Sequence, residues 1–214
     1  MFRILLSLVF VVVAGCSDRE SIVRIEGPTM GTAYHIAWVG DPAKAEAIQA
    51  DIDQRLAAIN RIMSTYDPTS ELSLINQSKA PLADDGWIPV SADLADVIAD
   101  SLEIYQKSGG VFDISVGPLV NLWGFGPDAH PDEVPSEDVL AEAMSRTGLD
   151  VLQFDPQRPA IKLAQPRYLD LSAIAKGWGV DDIAALLEGK NIHNYMVEIG
   201  GEIRTGGRKP GDAP

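Results

Sequence analysis

Residues 33–39 alternate, with Tyr34, Ile36 and Trp38 apolar at every second position, the period of a strand with one buried face. Residues 22–25 have the same character. The Gly-Pro-Thr-Met-Gly-Thr run at 27–32 separates the two, so a hairpin is predicted around that break. The period then changes. After Asp41 and Pro42, the residues Ile48, Ile52, Leu56, Ile59 and Met63 recur at spacings of three or four, which predicts an amphipathic helix facing a core. It stops at the turn-prone stretch 64–68, leaving Tyr66 as an exposed-looking aromatic. Residues 70–76 read as a short helix capped by Ser70. Ser91 caps a longer one with Leu94, Val97, Ile98, Leu102 and Tyr105 as its stripe and Gly109 as its stop. A polar, proline-rich linker occupies 130–135. Ser136 then caps a helix to about Arg146, residues 151–155 and 160–164 form a hairpin, and 194–199 form a strand that runs into Gly200-Gly201-Glu202-Ile203, with no strand returning to pair along 194–203.

Two stretches follow neither period. Residues 109–126 are rich in glycine and aromatics and poor in charge, which suits either packing between subdomains or lining a flat aromatic ligand. Residues 170–179 read Asp-Leu-Ser-Ala-Ile-Ala-Lys-Gly-Trp-Gly and open a helix running to about Leu187, with Ser172 as its N-cap. A helix N-terminus favours anions, and Lys176 adds a full charge one turn in. Gly177 and Gly179 weaken the helix where it starts, which points to something approaching closely. The plain alternative is a strand-to-helix turn with a solvated lysine, and on local grounds it is the commoner arrangement. The stretch is not a phosphate loop of the Gly-x-x-x-x-Gly-Lys-Ser/Thr kind. Asp170, Ala173 and Lys176 are spaced three apart, which would place them on one face of the incoming turn.

The chain has 214 residues, a net charge of −14 and 46% hydrophobic residues. That is enough for a proper core, and the acidity argues against a nucleic-acid surface. Arg3, the apolar run 4–13 and Val13-Ala14-Gly15-Cys16 resemble a bacterial lipoprotein signal. This divides the chain into a signal at 1–15, a tether at 16–21 beginning at a lipidated Cys16, and a domain at 22–214. It predicts an extracytoplasmic lipoprotein on the periplasmic side of a bacterial membrane, the inner membrane being preferred. Cys16 is the single cysteine, so no internal disulfide forms. His35, His130 and His193 are scattered, and no histidine-based metal motif or nucleophile elbow is present.

Five motifs occur in one order: Thr29-Met-Gly-Thr32; Met63-Ser-Thr-Tyr66 with Ser70-Glu-Leu-Ser73; Phe112-Asp113 through Pro118-Leu119 to Trp123-Gly-Phe125; residues 170–177 with Asp181; and Glu198-Ile-Gly-Gly201. Together they resemble the ApbE family of FAD:protein FMN transferases. The resemblance implies a T-fold-like α+β architecture of two subdomains with antiparallel sheets and packed helices. It implies a Mg²⁺-dependent transfer of the FMN half of FAD onto a Thr or Ser of a target flavoprotein, with AMP released. Targets would be subunits of membrane redox pumps of the Nqr and Rnf type or related extracytoplasmic flavoproteins. Met30 and Tyr66 would pack on the flavin, Val111, Phe112 and Asp113 would contact FAD, Asp170 would hydrogen-bond the nucleotide, and Lys176 would sit beside the diphosphate. Ala173 would give its backbone carbonyl to Mg²⁺, with the remaining metal ligands expected beyond residue 214, in a chain that reads as C-terminally truncated. The alternatives are a Mg²⁺-dependent hydrolase giving FMN and AMP, or a non-catalytic FAD-holding lipoprotein.

Overall fold

The computed structural model describes residues 21–127 and 133–211. The lipidation site Cys16, the signal and nearly all of the tether lie outside the described residues, as does His130. Among the described residues no helix is long and apolar enough to cross a membrane.

Strands β1 (Ile22–Thr29) and β2 (Thr32–Val39) form the expected hairpin, but β1 does not stop at the Gly-Pro run. Pro28 stays in register opposite Ala33. It is tolerated because β1 is an edge strand, where a missing N–H costs no ladder bond. The reversal is the two-residue Met30-Gly31 turn, with φ of 47° and 70°. Positive φ at both positions matches the twist of a tight hairpin. It is unusual for Met30, whose Cβ disfavours the left-handed region.

Helix α1 (Ala45–Met63) follows a 3₁₀ turn at Pro42–Lys44 that Asp41 caps. It buries the predicted stripe of Ile48, Ile52, Leu56, Ile59 and Met63. Helices α2 (Glu71–Asn76) and α3 (Ala92–Lys107) begin at the predicted caps Ser70 and Ser91. Between them lies a two-residue strand β3 (Ile88–Pro89), too short to leave a periodic signature. Helix α4 (Gly117–Leu122) lies inside the glycine-rich stretch 109–126, where neither period predicts an element. Pro118 in its first turn is the signal that could have revealed it. Helix α5 (Glu137–Ser145) precedes β4 (Leu152–Asp155) and β5 (Ala160–Leu163), which pair antiparallel as predicted, with β3 on the far side of β5.

Helix α6 (Ala175–Gly189) leads to β6 (Tyr195–Ile199) and β7 (Glu202–Gly206). Strand β7 corrects the expectation that residues 194–203 run on with no returning strand: the chain already turns back at 200–201. Gly200 and Gly201, both at positive φ, turn the chain back, and β7 pairs with β6 from Tyr195–Gly206 to Ile199–Glu202. A strand exposed along its length shows no inward–outward alternation to read. The larger sheet therefore runs β1-β2-β6-β7, all antiparallel.

One face of that sheet, with Tyr34, Ile36, Trp38, Val197 and Ile199 essentially inaccessible, packs against α1 and α6. Tyr34 ties the layers together, its hydroxyl donating to Asp53 Oδ1 on α1 at 2.7 Å. Burial first, and the Asp53 acceptor second, push its phenol up to about 12.

Candidate functional site: a cleft at the start of helix α6

The stretch before α6 is clamped from three sides. Asn76, at the end of α2, donates to the Leu169 carbonyl and accepts from its N–H, both at 2.8 Å. Asp170 N–H donates to the Ile114 carbonyl at 2.7 Å. Leu169 and Leu171 are fully buried on either side of Asp170, itself only 4% exposed. Asp170 Oδ1 accepts the Ser172 N–H at 2.7 Å, an Asx turn that aims the chain into the helix. The predicted role of Ser172 as N-cap is therefore corrected: the helix starts at Ala175 with Ile174 at the cap position and no side-chain cap. An Asx turn at Asp170–Ser172 and a turn from Leu171 to Ile174 come before the helix, so Ser172 stands three residues ahead of its first residue. For the same reason Asp170, Ala173 and Lys176 do not share one helical face, since the first two precede the helix. Ala173 is exposed in the turn, and its carbonyl accepts no backbone hydrogen bond among the described residues.

A cleft of about 650 Å³ opens over this helix start. Its walls come from the Met30-Gly31 turn, from Ile59, Asn60 and Met63 of α1, from the loop Ser64-Thr65-Tyr66, from Phe125, and from Ser172, Ala175 and Lys176. The structure thus brings Met30, Tyr66 and Lys176 together, with Asp170 and Ala173 on the turn that enters the site. Lys176 is the one charged side chain among the described residues lining the cleft. It forms no hydrogen bond or ion pair among the described residues, in a protein of net charge −14.

Two close approaches set the floor. Gly179 leaves room for Met30, whose Cε would lie 3.1 Å from a Cβ placed there. Gly200 leaves room for the Lys176 stem, since a Cβ at Gly200 would meet Lys176 Cδ at 3.0 Å and Thr32 Cγ2 at 2.8 Å. Gly177, also expected to serve an approach, faces open space. The Gly200-Gly201 turn is held by Glu198, whose Oε1 accepts the Gly201 N–H at 2.5 Å and whose Oε2 contacts His35 Nδ1 at 2.5 Å. The His35 contact first, then that N–H, hold the Glu198 carboxyl below the usual carboxylate range.

The Tyr66 loop is built from serines. Ser64 Oγ accepts the N–H groups of Tyr66 and Asp67, each at 3.1 Å. The Ser64 carbonyl in turn accepts the hydroxyls of Ser70 (2.5 Å) and Ser73 (3.0 Å). Ser70 also caps α2 by accepting the Ser73 N–H. The sequence showed the cap and not the second duty, which depends on a loop folding back. Ser70→Ala removes both bonds at a buried position. An expected loss of about 1–2 kcal/mol, read by thermal denaturation, follows from the missing cap and one half-abandoned carbonyl. A melting temperature equal to wild type would show that Ser73 alone holds the loop.

Val111, Phe112 and Asp113 are not among the residues lining the cleft. Val111 is 88% exposed, Phe112 packs against the core, and the Asp113 carboxylate accepts from Ser115 N–H and Oγ and from Gly148 N–H at 2.7–3.0 Å. Asp113 so ties the loop before α4 to the turn preceding β4. The described residues contain no group of three His, Cys, Asp or Glu side chains that could hold a metal.

Comparison with known proteins agrees with this layout. The model of the ApbE family matches residues 30–214. The chain belongs to the ApbE family. A curated relative from Haemophilus influenzae, named FAD:protein FMN transferase, is 41% identical to this ApbE-family chain over 201 residues, covering 91% of it and 57% of the relative. One of the same name from Vibrio cholerae is 43% identical over 198 residues, with the same coverage. The solved flavin transferase ApbE from Vibrio cholerae superposes with a TM-score of 0.84 at 41% identity, covering 91% of this chain and 62% of that one. The apo flavinyl transferase ApbE of Pseudomonas stutzeri gives 0.81 at 31% identity, covering 92% and 64%. The chain thus spans less than two thirds of the length of these relatives.

Proposed function

We propose that the cleft binds FAD and that the full protein transfers its FMN half to a Ser or Thr hydroxyl of an extracytoplasmic flavoprotein, releasing AMP. One observation carries this reading: an acidic protein presents a cleft in which, among the described residues, the cation Lys176 is the single charged side chain, beside apolar and aromatic walls. That combination suits a ligand with an anionic centre and a flat ring, and relatives named FAD:protein FMN transferase supply the identity of such a ligand. Tyr66 and Met30 would take the isoalloxazine ring, and Lys176, with the N–H groups of Lys176 and Gly177 that have no backbone acceptor among the described residues, would take the diphosphate. Asp170 would act from the turn beneath.

In the transfer the acceptor oxygen attacks the FMN phosphorus, and the bond from that phosphorus to the bridging oxygen breaks. AMP leaves with the bridging oxygen, and the hydroxyl proton is lost. Such a reaction needs positioning and charge neutralisation more than covalent help. Mg²⁺, when bound, would supply further neutralisation at the diphosphate. The chemistry of the donors fits in part: the Ala173 carbonyl is a hard oxygen without a backbone partner among the described residues, and hard oxygen is what this ion takes. We place the protein, through a lipidated Cys16, at the periplasmic side of a bacterial membrane, with subunits of Nqr- and Rnf-type redox pumps as the class of target.

The experiment incubates the full-length protein with FAD, Mg²⁺ and a target domain, and measures AMP and in-gel flavin fluorescence. AMP together with a fluorescent target band is expected. AMP without a band would indicate hydrolysis, and neither product would indicate a flavin-holding protein. Tyr66→Ala is expected to weaken FAD binding roughly 2- to 10-fold, the worth of one stacked ring. Tyr66 is 64% exposed, so the apo melting temperature should stay unchanged. An unaltered FAD dissociation constant would remove Tyr66 from the site.

A further inference from the structure

Phe125 shares the cleft with Tyr66 but comes from a distant part of the chain. It follows α4, where Trp123 is the C-cap and Gly124, at φ 75°, is the next residue. Gly124 N–H donates to the Asn121 carbonyl at 2.9 Å and Phe125 N–H to the Val120 carbonyl at 3.0 Å. This paired pattern is a Schellman helix end, in which an apolar residue at the Phe125 position usually packs back on its own helix. Here it does not: the side chain is 77% exposed and lines the cleft. The backbone is fixed while the ring is left outward. The loop is also tied across the cleft, because the Tyr66 hydroxyl donates to the Phe125 carbonyl at 2.7 Å. That bond is the link by which the serine-braced Tyr66 loop and the end of α4 are held at one spacing.

We propose that Phe125 is a second ring-binding residue, and that it and Tyr66, spaced by this bond, take the isoalloxazine ring of FAD between two chain segments. The inference rests on the FAD reading of the cleft. A large apolar ring held in water on a rigid helix end gains by covering a flat aromatic ligand, and stacked aromatic pairs add to what burial alone gives. The Tyr66 hydroxyl then serves spacing rather than chemistry, which separates the contributions of its ring and its oxygen.

The test titrates FAD, riboflavin and ADP into full-length wild type, Phe125→Ala, Phe125→Tyr and Tyr66→Phe. Phe125→Ala is expected to weaken FAD and riboflavin binding roughly 2- to 10-fold and to leave ADP binding unchanged. Phe125→Tyr should restore the loss, and Tyr66→Phe, which keeps the ring and removes the tie, should weaken FAD by a smaller factor. Apo melting temperatures should match wild type. Equal FAD affinity in Phe125→Ala, or an ADP loss as large as the FAD loss, overturns the inference while leaving the cleft's ligand intact. So does a variant with normal FAD binding and a raised KM for the target protein, which would make Phe125 a docking residue. Wild type that binds ADP but gains nothing from the flavin overturns the FAD reading itself.

Discussion

Replacing Lys176 with Met is expected to cut FMN transfer by at least about tenfold, equivalent to about 1.4 kcal/mol of transition-state stabilisation. Met keeps most of the aliphatic stem that runs past Gly200, so the change is close to a removal of charge alone. The lysine has no partner among the described residues to leave stranded, and the variant should therefore melt as wild type does. Three readouts distinguish a diphosphate contact from a bystander. FAD affinity should fall, the weakening of FAD binding by salt should flatten because a charge contact has gone, and Lys176→Arg should retain part of the activity. Wild-type transfer by Lys176→Met would return residues 170–179 to an ordinary strand-to-helix turn. Unchanged FAD affinity with slow transfer would instead place the ammonium on charge that develops during the reaction.

Arg55→Met should lower stability by about 2–3 kcal/mol. Arg55 donates through Nε and Nη2 to Asp182 at 2.6 and 2.8 Å and through Nη1 to Asp93 at 2.7 Å, with its guanidinium 5.7 Å from the centre of the Trp178 ring. One side chain on α1 thereby joins α3 and α6. The two carboxylates hold the guanidinium firmly protonated, the Asp182 bonds contributing most. Removing one partner of a fully buried pair costs about 3–5 kcal/mol, because the other charge is left behind. The Arg55 side chain is 27% exposed and its partners 24% and 21%, so solvent screens part of that and brings the expected loss down to about 2–3 kcal/mol. For a chain of this size the shift in melting temperature is about 4–12 °C. Arg55→Lys should lose less, since charge remains while the two-pronged geometry is lost. A change under about 0.5 kcal/mol in Met would show that the helices are fixed by their apolar stripes alone.

Much of this fold is local and therefore legible. The stripe of α1, the caps Ser70, Ser91 and Ser136 and the alternation in β2 are written at spacings of two to four residues, and the elements stand where those spacings put them. What failed was non-local or too short to have a period. Strand β3 has two residues, β7 has no buried face, and Ser172 lies in an Asx turn made by Asp170, three residues ahead of the helix it was expected to cap. The site divides in the same way. Met30, Tyr66 and Lys176 came from motifs resembling a family, and the cleft gathers them. No spacing could show that Gly200 clears the lysine stem, or that Ser70 and Ser73 brace Ser64, because those contacts exist only once separate elements meet. Nor did any motif show that the Asp113 carboxylate is already taken up by Ser115 and Gly148.

The order β1-β2-β6-β7 also constrains when the site can come into being during synthesis. The hairpin of β1 and β2 can close as soon as it leaves the ribosome, and α1 can follow it. Strand β2, however, has its second partner in β6, and the cross-strand pair His35–Glu198 is 163 positions apart. Contacts of such long range carry a large loop-closure entropy and are slow to form. Until then the inner edge of the hairpin is open and Lys176 has no Gly200 to pass. The nascent chain thus holds an unpaired strand edge until residues 195–199 have emerged, an interval in which a neighbouring chain could pair with it. Shielding that edge early acts on this interval, whereas strengthening the finished core does not.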